Sequence, residues 1–323
     1  MKLRTKINIQ GKFSPINHSQ SILMLGSCFS VNIGNNLLRY KFSISLNPCG
    51  ITYNPISIAK TLWRLRTHRP YSEADLTIIE GVPIPFSHHG SFRRETVAET
   101  LQAMNESWNV ACQSLVKTKH LFLTFGTAYV WQRDEEIVNN CHKRPRSEFV
   151  HRLLTVEEIV SELVPVFQQL TDMQIILNVS PIRHLHSGLS GNCLSKSTLR
   201  LACHHLSCQF QNVSYFPSFE AVIDDLRDYR FYGEDLLHPS SLAVQYIWKL
   251  FEETFFSSET ITRTNTIDHL YKRLNHRPLY PESNSSIQFV QATEAQLCKL
   301  MRMYPNASWR EEQLLLERQK IQR

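Results

Sequence analysis

Five short apolar runs, separated by segments of helical period, predict an α/β protein. Its expected form is a three-layer α/β/α domain with a five-stranded parallel sheet, plus a helical C-terminal extension. The alternation carries this prediction, because parallel strands need crossover connections between them. Cap and turn residues at the run boundaries support it. So does the composition: 323 residues with 42% hydrophobic and 10% aromatic content suit a globular core rather than disorder or a coiled coil.

The first run covers residues 21–25 and ends in Gly26-Ser27-Cys28-Phe29, with a helix expected over 31–40. After the second run, 42–46, Asn54-Pro55 reads as a helix start, with Asn as cap and Pro at the first helical position. Residues 70–93 carry prolines and a His pair and read as an excursion outside the sheet. A long helix is expected over 95–117. The third run, 120–125, ends in Gly126, and a hairpin is expected to pair 129–131 with 136–138. Thr155-Val156-Glu157-Glu158 has the form of a capping box. A fourth run at 174–179, a helix over 195–210, a fifth run at 213–216 and a last core helix over 240–256 complete the pattern. Beyond this, segments such as 268–275 and 309–322 are charged with little apolar face. Residues 1–258 are therefore read as the α/β domain and 259–323 as a helical appendage.

Lys+Arg total 35 against 29 Asp+Glu, a net +6 that is too diffuse to mark a nucleic-acid partner. No apolar stretch approaches the roughly 20 residues of a membrane span. The N-terminus lacks the apolar core of a signal peptide. Eight cysteines show no disulfide-framework spacing. A cytoplasmic, reduced protein is the expectation.

Two motifs suggest chemistry. A Ser on the Gly26-Ser27-Cys28 turn, after a buried strand and before a helix, would project over the carboxyl end of the sheet beside helix N-terminal N–H groups able to hold an oxyanion. The bland alternative makes Ser27 a helix cap. The second motif is Asp235-Leu236-Leu237-His238-Pro239, in which a carboxylate three residues before a histidine can fix the imidazole tautomer and leave its other nitrogen as base. Alone it would read as a surface ion pair. Cys28 is a rival nucleophile for the same base.

That order of motifs resembles the SGNH, or GDSL-like, hydrolase superfamily, and Gly26-Ser27-Cys28-Phe29-Ser30 resembles the motif of the GSCFA-domain family of bacterial proteins. Further similar strings are Asn47-Pro48-Cys49-Gly50, Phe125-Gly126-Thr127-Ala128, Asn140-Cys141-His142-Lys143 and Ser180-Pro181-Ile182-Arg183-His184. The resemblance implies a flavodoxin-like, SGNH-hydrolase-like fold and a serine-dependent esterase or acyltransferase acting on a small-molecule or glycan ester, with O-acylated carbohydrate as a substrate class. It implies Ser27 as nucleophile, Asp235 and His238 as acid and base, and the Ser27 and Gly50 N–H groups as oxyanion donors. The superfamily's Gly-x-Asn is replaced by Gly126-Thr127-Ala128, so Asn140 is the expected substitute donor. His142, Lys143, Arg183 and Lys196 are candidates for an anionic substrate group, against the alternative of a solvated loop. Cys203, His204, His205 and Cys208 share a helix with Leu199 and Phe210, so core packing is preferred over metal binding. The chemistry calls for no metal or organic cofactor. The competing readings are a non-catalytic glycan- or acyl-binding module and a scaffold working through its charged tail.

Overall fold

A computed structural model describes residues 5–9, 11, 13–305 and 307–321. Position 322, the end of the predicted terminal helix, lies outside them. In chain order the elements begin with β1 (Ser21–Gly26), α1 (Phe29–Arg39), β2 (Ser43–Leu46), α2 (Pro55–Arg66), β3 (Thr77–Ile79), β4 (Val82–Ile84) and α3 (Val97–Lys117). The middle of the chain forms β5 (Thr118–Phe125), β6 (Tyr129–Arg133), β7 (Glu136–Val138), β8 (Val150–Leu153), α4 (Val156–Phe167), β9 (Gln174–Val179) and α5 (Gly188–Gln209). It closes with β10 (Val213–Tyr215), the short α6 (Ser218–Glu220), α7 (Ser241–Phe255), α8 (Ser258–Leu274), α9 (Asn284–Met303) and α10 (Arg310–Ile321).

The five predicted runs are the five strands of one parallel sheet, in the order β10-β9-β5-β1-β2. Successive strand side chains point to opposite faces, and here both faces are covered. Leu23 and Leu25 of β1, Leu121 and Leu123 of β5, and Ile175 and Leu177 of β9 pack into the core shared with α2–α5. The intervening Ile22, Met24, Phe122 and Ile176 pack with Phe29 and Leu37 of α1 and Ile247 and Phe251 of α7. Continuous apolar strands with alternating destinations are what a three-layer sandwich requires.

The caps work as expected. Asn54 accepts the Ser57 N–H at 2.8 Å, and the Thr155 and Glu158 side chains close a reciprocal box at α4. The hairpin β6–β7 gains an unpredicted third strand: β8 pairs antiparallel with β6, giving the order β7-β6-β8. The 70–93 excursion forms the β3–β4 hairpin, and its Ile84 and Phe86 pack with Val138 against Trp131 and Phe149.

The C-terminal helices correct the expectation of little apolar face. Ile267, Leu270, Val290, Leu297, Leu300 and Leu316 share a separate core among α8, α9 and α10. Each helix contributes only a few apolar residues, so the stripe emerges only when three are assembled. Lys41 and Glu312, both buried, pair at 2.6 Å and tie this bundle to the α1–β2 turn.

Candidate active site

Cys28, His238 and Asp235 meet beyond the carboxyl end of β1, the edge at which ligands meet open α/β sheets. β1 ends at Gly26, with φ +142°, where a Cβ would run into the Thr124 backbone of β5. Only glycine lets the two strand ends stay this close.

Ser27 is still part of the sheet. Its N–H donates to the Thr124 carbonyl at 3.0 Å. Its side chain is buried, and Oγ accepts the Phe29 N–H at 3.4 Å, whereas the N-cap of α1 is Cys28. Cys28 is the first residue beyond the ladder. Its half-buried thiol lines a cavity of about 370 Å3 and lies 4.0 Å from His238 Nε2. The structure thus brings Cys28, rather than Ser27, to the histidine.

His238 Nδ1 meets Asp235 Oδ2 at 2.6 Å. Asp235 Oδ1 accepts the N–H groups of Leu237 and His238, each at 3.0 Å. Leu236, at φ +57°, bends the chain so that the carboxylate can reach its own loop. The His238 hydrogen bond, followed by those two N–H groups, holds the Asp235 carboxyl down at about 2. The Arg183 N–H donates to the Leu237 carbonyl at 3.2 Å, anchoring the loop to the segment after β9. Burial pushes the Cys28 thiol up, although its own N–H and that of Phe29 pull the other way. The resting sulfur is therefore a thiol that needs a base.

The sequence-predicted oxyanion donors are engaged elsewhere. The Ser27 N–H belongs to the sheet, and the Gly50 N–H closes a turn onto the Asn47 carbonyl at 2.8 Å. Asn140 spends its side-chain oxygen on the His142 N–H at 2.7 Å and does not line the cavity, whereas its neighbour Asn139 does. The hairpin returns one residue out of phase with the expectation. Cys28, Asn192 and Tyr53 line the cavity; among the described residues no protein acceptor takes the Asn192 amide nitrogen or the Tyr53 phenol, and the Cys28 N–H meets only its own sulfur. Burial, with Cys28 nearby, raises the Tyr53 phenol, keeping it a donor.

The anion-binding candidates also separate. Lys196 is fully buried, with its Nζ 2.7 Å from the carbonyls of both Gly126 and Ser180, so it fastens the ends of β5 and β9 and does not meet substrate. Burial lowers it to about 7. His142 is buried and bonds the Pro85 carbonyl through Nε2 at 2.9 Å, pinning the excursion. Lys143 is exposed outside the cavity lining. Arg183 alone of the four lines the cavity. His184 joins it there, with Nε2 2.9 Å from the Gly126 carbonyl, and is lowered to about 4 by burial and then by Lys196. Cys203 is in the core while Cys208 is exposed, so the helix separates that cysteine pair.

The GSCFA family model matches residues 21–251. This chain belongs to the GSCFA family. A second model, the C-terminal domain of GSCFA domain proteins, matches residues 267–322 of this GSCFA chain. Its Gly26-Ser27-Cys28-Phe29 string therefore spans the sheet-to-helix step just described. Ser30 takes the place of the alanine in the family name. Its Oγ donates to the Ser27 carbonyl at 2.7 Å and accepts from the Asn47 amide at 3.0 Å, stiffening the turn. No curated protein matches the sequence. Similar solved structures include a proposed acylhydrolase from Bacteroides fragilis, at 8% identity and TM-score 0.37 over 79% of this chain and 91% of that one. A proposed GDSL-like lipase from Parabacteroides merdae is 13% identical, with TM-score 0.36, over 75% and 97%. An acetyl xylan esterase from Butyrivibrio proteoclasticus is 10% identical, with TM-score 0.36, over 80% and 65%.

Sequence reasoning passed over Tyr53, Asn139, His151, His186 and Asn192, all of which line the cavity. Tyr129 and Trp131 gave a usable signal, since alternate residues of a short strand share one face.

Proposed function

We propose that this GSCFA protein catalyses acyl transfer from an ester, as a hydrolase or acyltransferase, with Cys28 as the nucleophile in place of Ser27. The observation that carries the reading is the 4.0 Å approach of His238 Nε2 to the Cys28 sulfur while Ser27 is buried against Phe29. His238 takes the thiol proton as sulfur attacks the ester carbonyl. Asp235 holds the Nδ1–H and balances the imidazolium that forms. The Cys28 N–H and the Tyr53 phenol face the oxyanion. His238 then returns its proton to the leaving alkoxide, and a thioester remains on Cys28. Water or an acceptor hydroxyl, deprotonated by His238, attacks that thioester and restores the thiol.

The test is a p-nitrophenyl acetate burst assay, with mass mapping of the acylated residue. Wild type is expected to release a burst and carry acetyl on Cys28. Cys28→Ala should lose the burst, and His238→Ala should slow it by about 100-fold or more. Ser27→Ala should retain it. Acetylation on Ser27, or a burst that survives Cys28→Ala, would overturn the assignment. A folded wild type that never acylates would favour a binding module instead.

A further inference from the structure

One wall of the cavity is aromatic. Trp131 of β6 and His151 of β8 face each other across the antiparallel register, with ring centroids 4.3 Å apart. His186 joins them, 5.2 Å from Trp131 and 4.7 Å from His151, meeting the latter nearly edge-on at 83°. Tyr129 also stacks on His151 at 4.9 Å, so four rings build this corner, a surface suited to an aromatic guest. Burial, then the neighbouring His186 and Arg146, lowers His151, so at neutral pH it presents a neutral ring.

Arg183 supplies charge. Its guanidinium lies 4.0 Å from the Tyr232 ring centroid and 5.0 Å from that of Tyr229. Stacking covers the guanidinium face and leaves the N–H edge, a fork that matches a carboxylate. Among the described residues no acceptor takes those side-chain N–H groups, and no Asp or Glu lines the cavity. At about 370 Å3 the space sits near the low end of ligand pockets, which run from about 300 to 1,000 Å3. That is ample room for one substituted ring.

We propose that this cavity binds an aromatic carboxylate, its ring against the Trp131–His151–His186 corner and its carboxylate forked by Arg183. The substrate of the reaction is then an ester carrying an aryl carboxylate beside the reacting carbonyl. That last step rests on the Cys28 reading, whereas the binding itself does not.

Calorimetric titration of Cys28→Ser protein separates the two. Benzoate is expected to bind at least about tenfold more tightly than cyclohexanecarboxylate, which keeps the charge without the flat ring, and than benzamide, which keeps the ring without the charge. Arg183→Gln should abolish the preference over benzamide, with Arg183→Lys restoring part of it. Trp131→Ala should abolish the preference over cyclohexanecarboxylate. Unchanged melting temperatures show that each variant is folded. Absence of benzoate binding, equal binding of the two carboxylates, or benzoate binding indifferent to Arg183→Gln would overturn the proposal. Benzoate binding without any acylation of Cys28 in wild type would sink the catalytic reading alone.

Discussion

Ser27 and Cys28 are adjacent in the chain, yet one serves the sheet and the other the cavity. The Ser27 N–H remains in the β1–β5 ladder, its buried side chain takes the Phe29 N–H, and the thiol one residue later is free to face His238. Burial lifts this thiol above its ordinary range. Iodoacetamide alkylation of Cys28 should therefore accelerate with pH through neutrality and keep rising beyond 9.0, the usual thiol value. A plateau below about pH 7 would mean a resting thiolate–imidazolium pair instead. Asp235, held near 2, keeps its charge across that range, so no acid limb of the profile belongs to it.

At the scale of elements, local chemistry sets boundaries and long-range contacts set positions. Asn54 caps α2, whose first turn adjoins the cavity. Asn54→Ala is expected to cost about 1 kcal/mol in urea unfolding, the usual loss for a cap. Lys196 bridges the ends of β5 and β9 from within the core. Its value falls from 10.5 to about 7 on folding, so between those limits the unfolded chain holds more protons and wild type gains stability as pH rises. The stability of wild type relative to Lys196→Met should therefore increase from about pH 7 toward 10. A difference independent of pH would show that Lys196 titrates alike in both states. The apolar runs and caps made most of these elements legible. β8 was not, because Val150–Leu153 is exposed or half-buried and its pairing partner β6 lies far back in the chain.

Across the whole molecule, the α/β layers and the C-terminal helices meet at the α1–β2 turn. Lys41 there is buried, with Glu312 and the Ser308 carbonyl as its partners, and Glu312 also takes the Tyr271 hydroxyl. Glu312→Ala leaves a buried ammonium without its counter-charge and should destabilise the protein by about 3–5 kcal/mol in denaturant unfolding. A loss under about 1 kcal/mol would show the junction to be solvated. No residue of α8–α10 lines the cavity, so acylation of the folded variant should match wild type. By itself the sequence determined the five strands, the order of layers and the Asp235–His238 pair, since apolar period, caps and a three-residue spacing act over short stretches of chain. Only the tertiary structure decided which atoms face the cavity. The last ladder bond of β1 turned Ser27 inward, the burial of Lys196 removed it from the substrate, and the hairpin presented Asn139 rather than Asn140. Each outcome depends on a partner distant in sequence, where a shift of one residue changes the face on which a side chain lies.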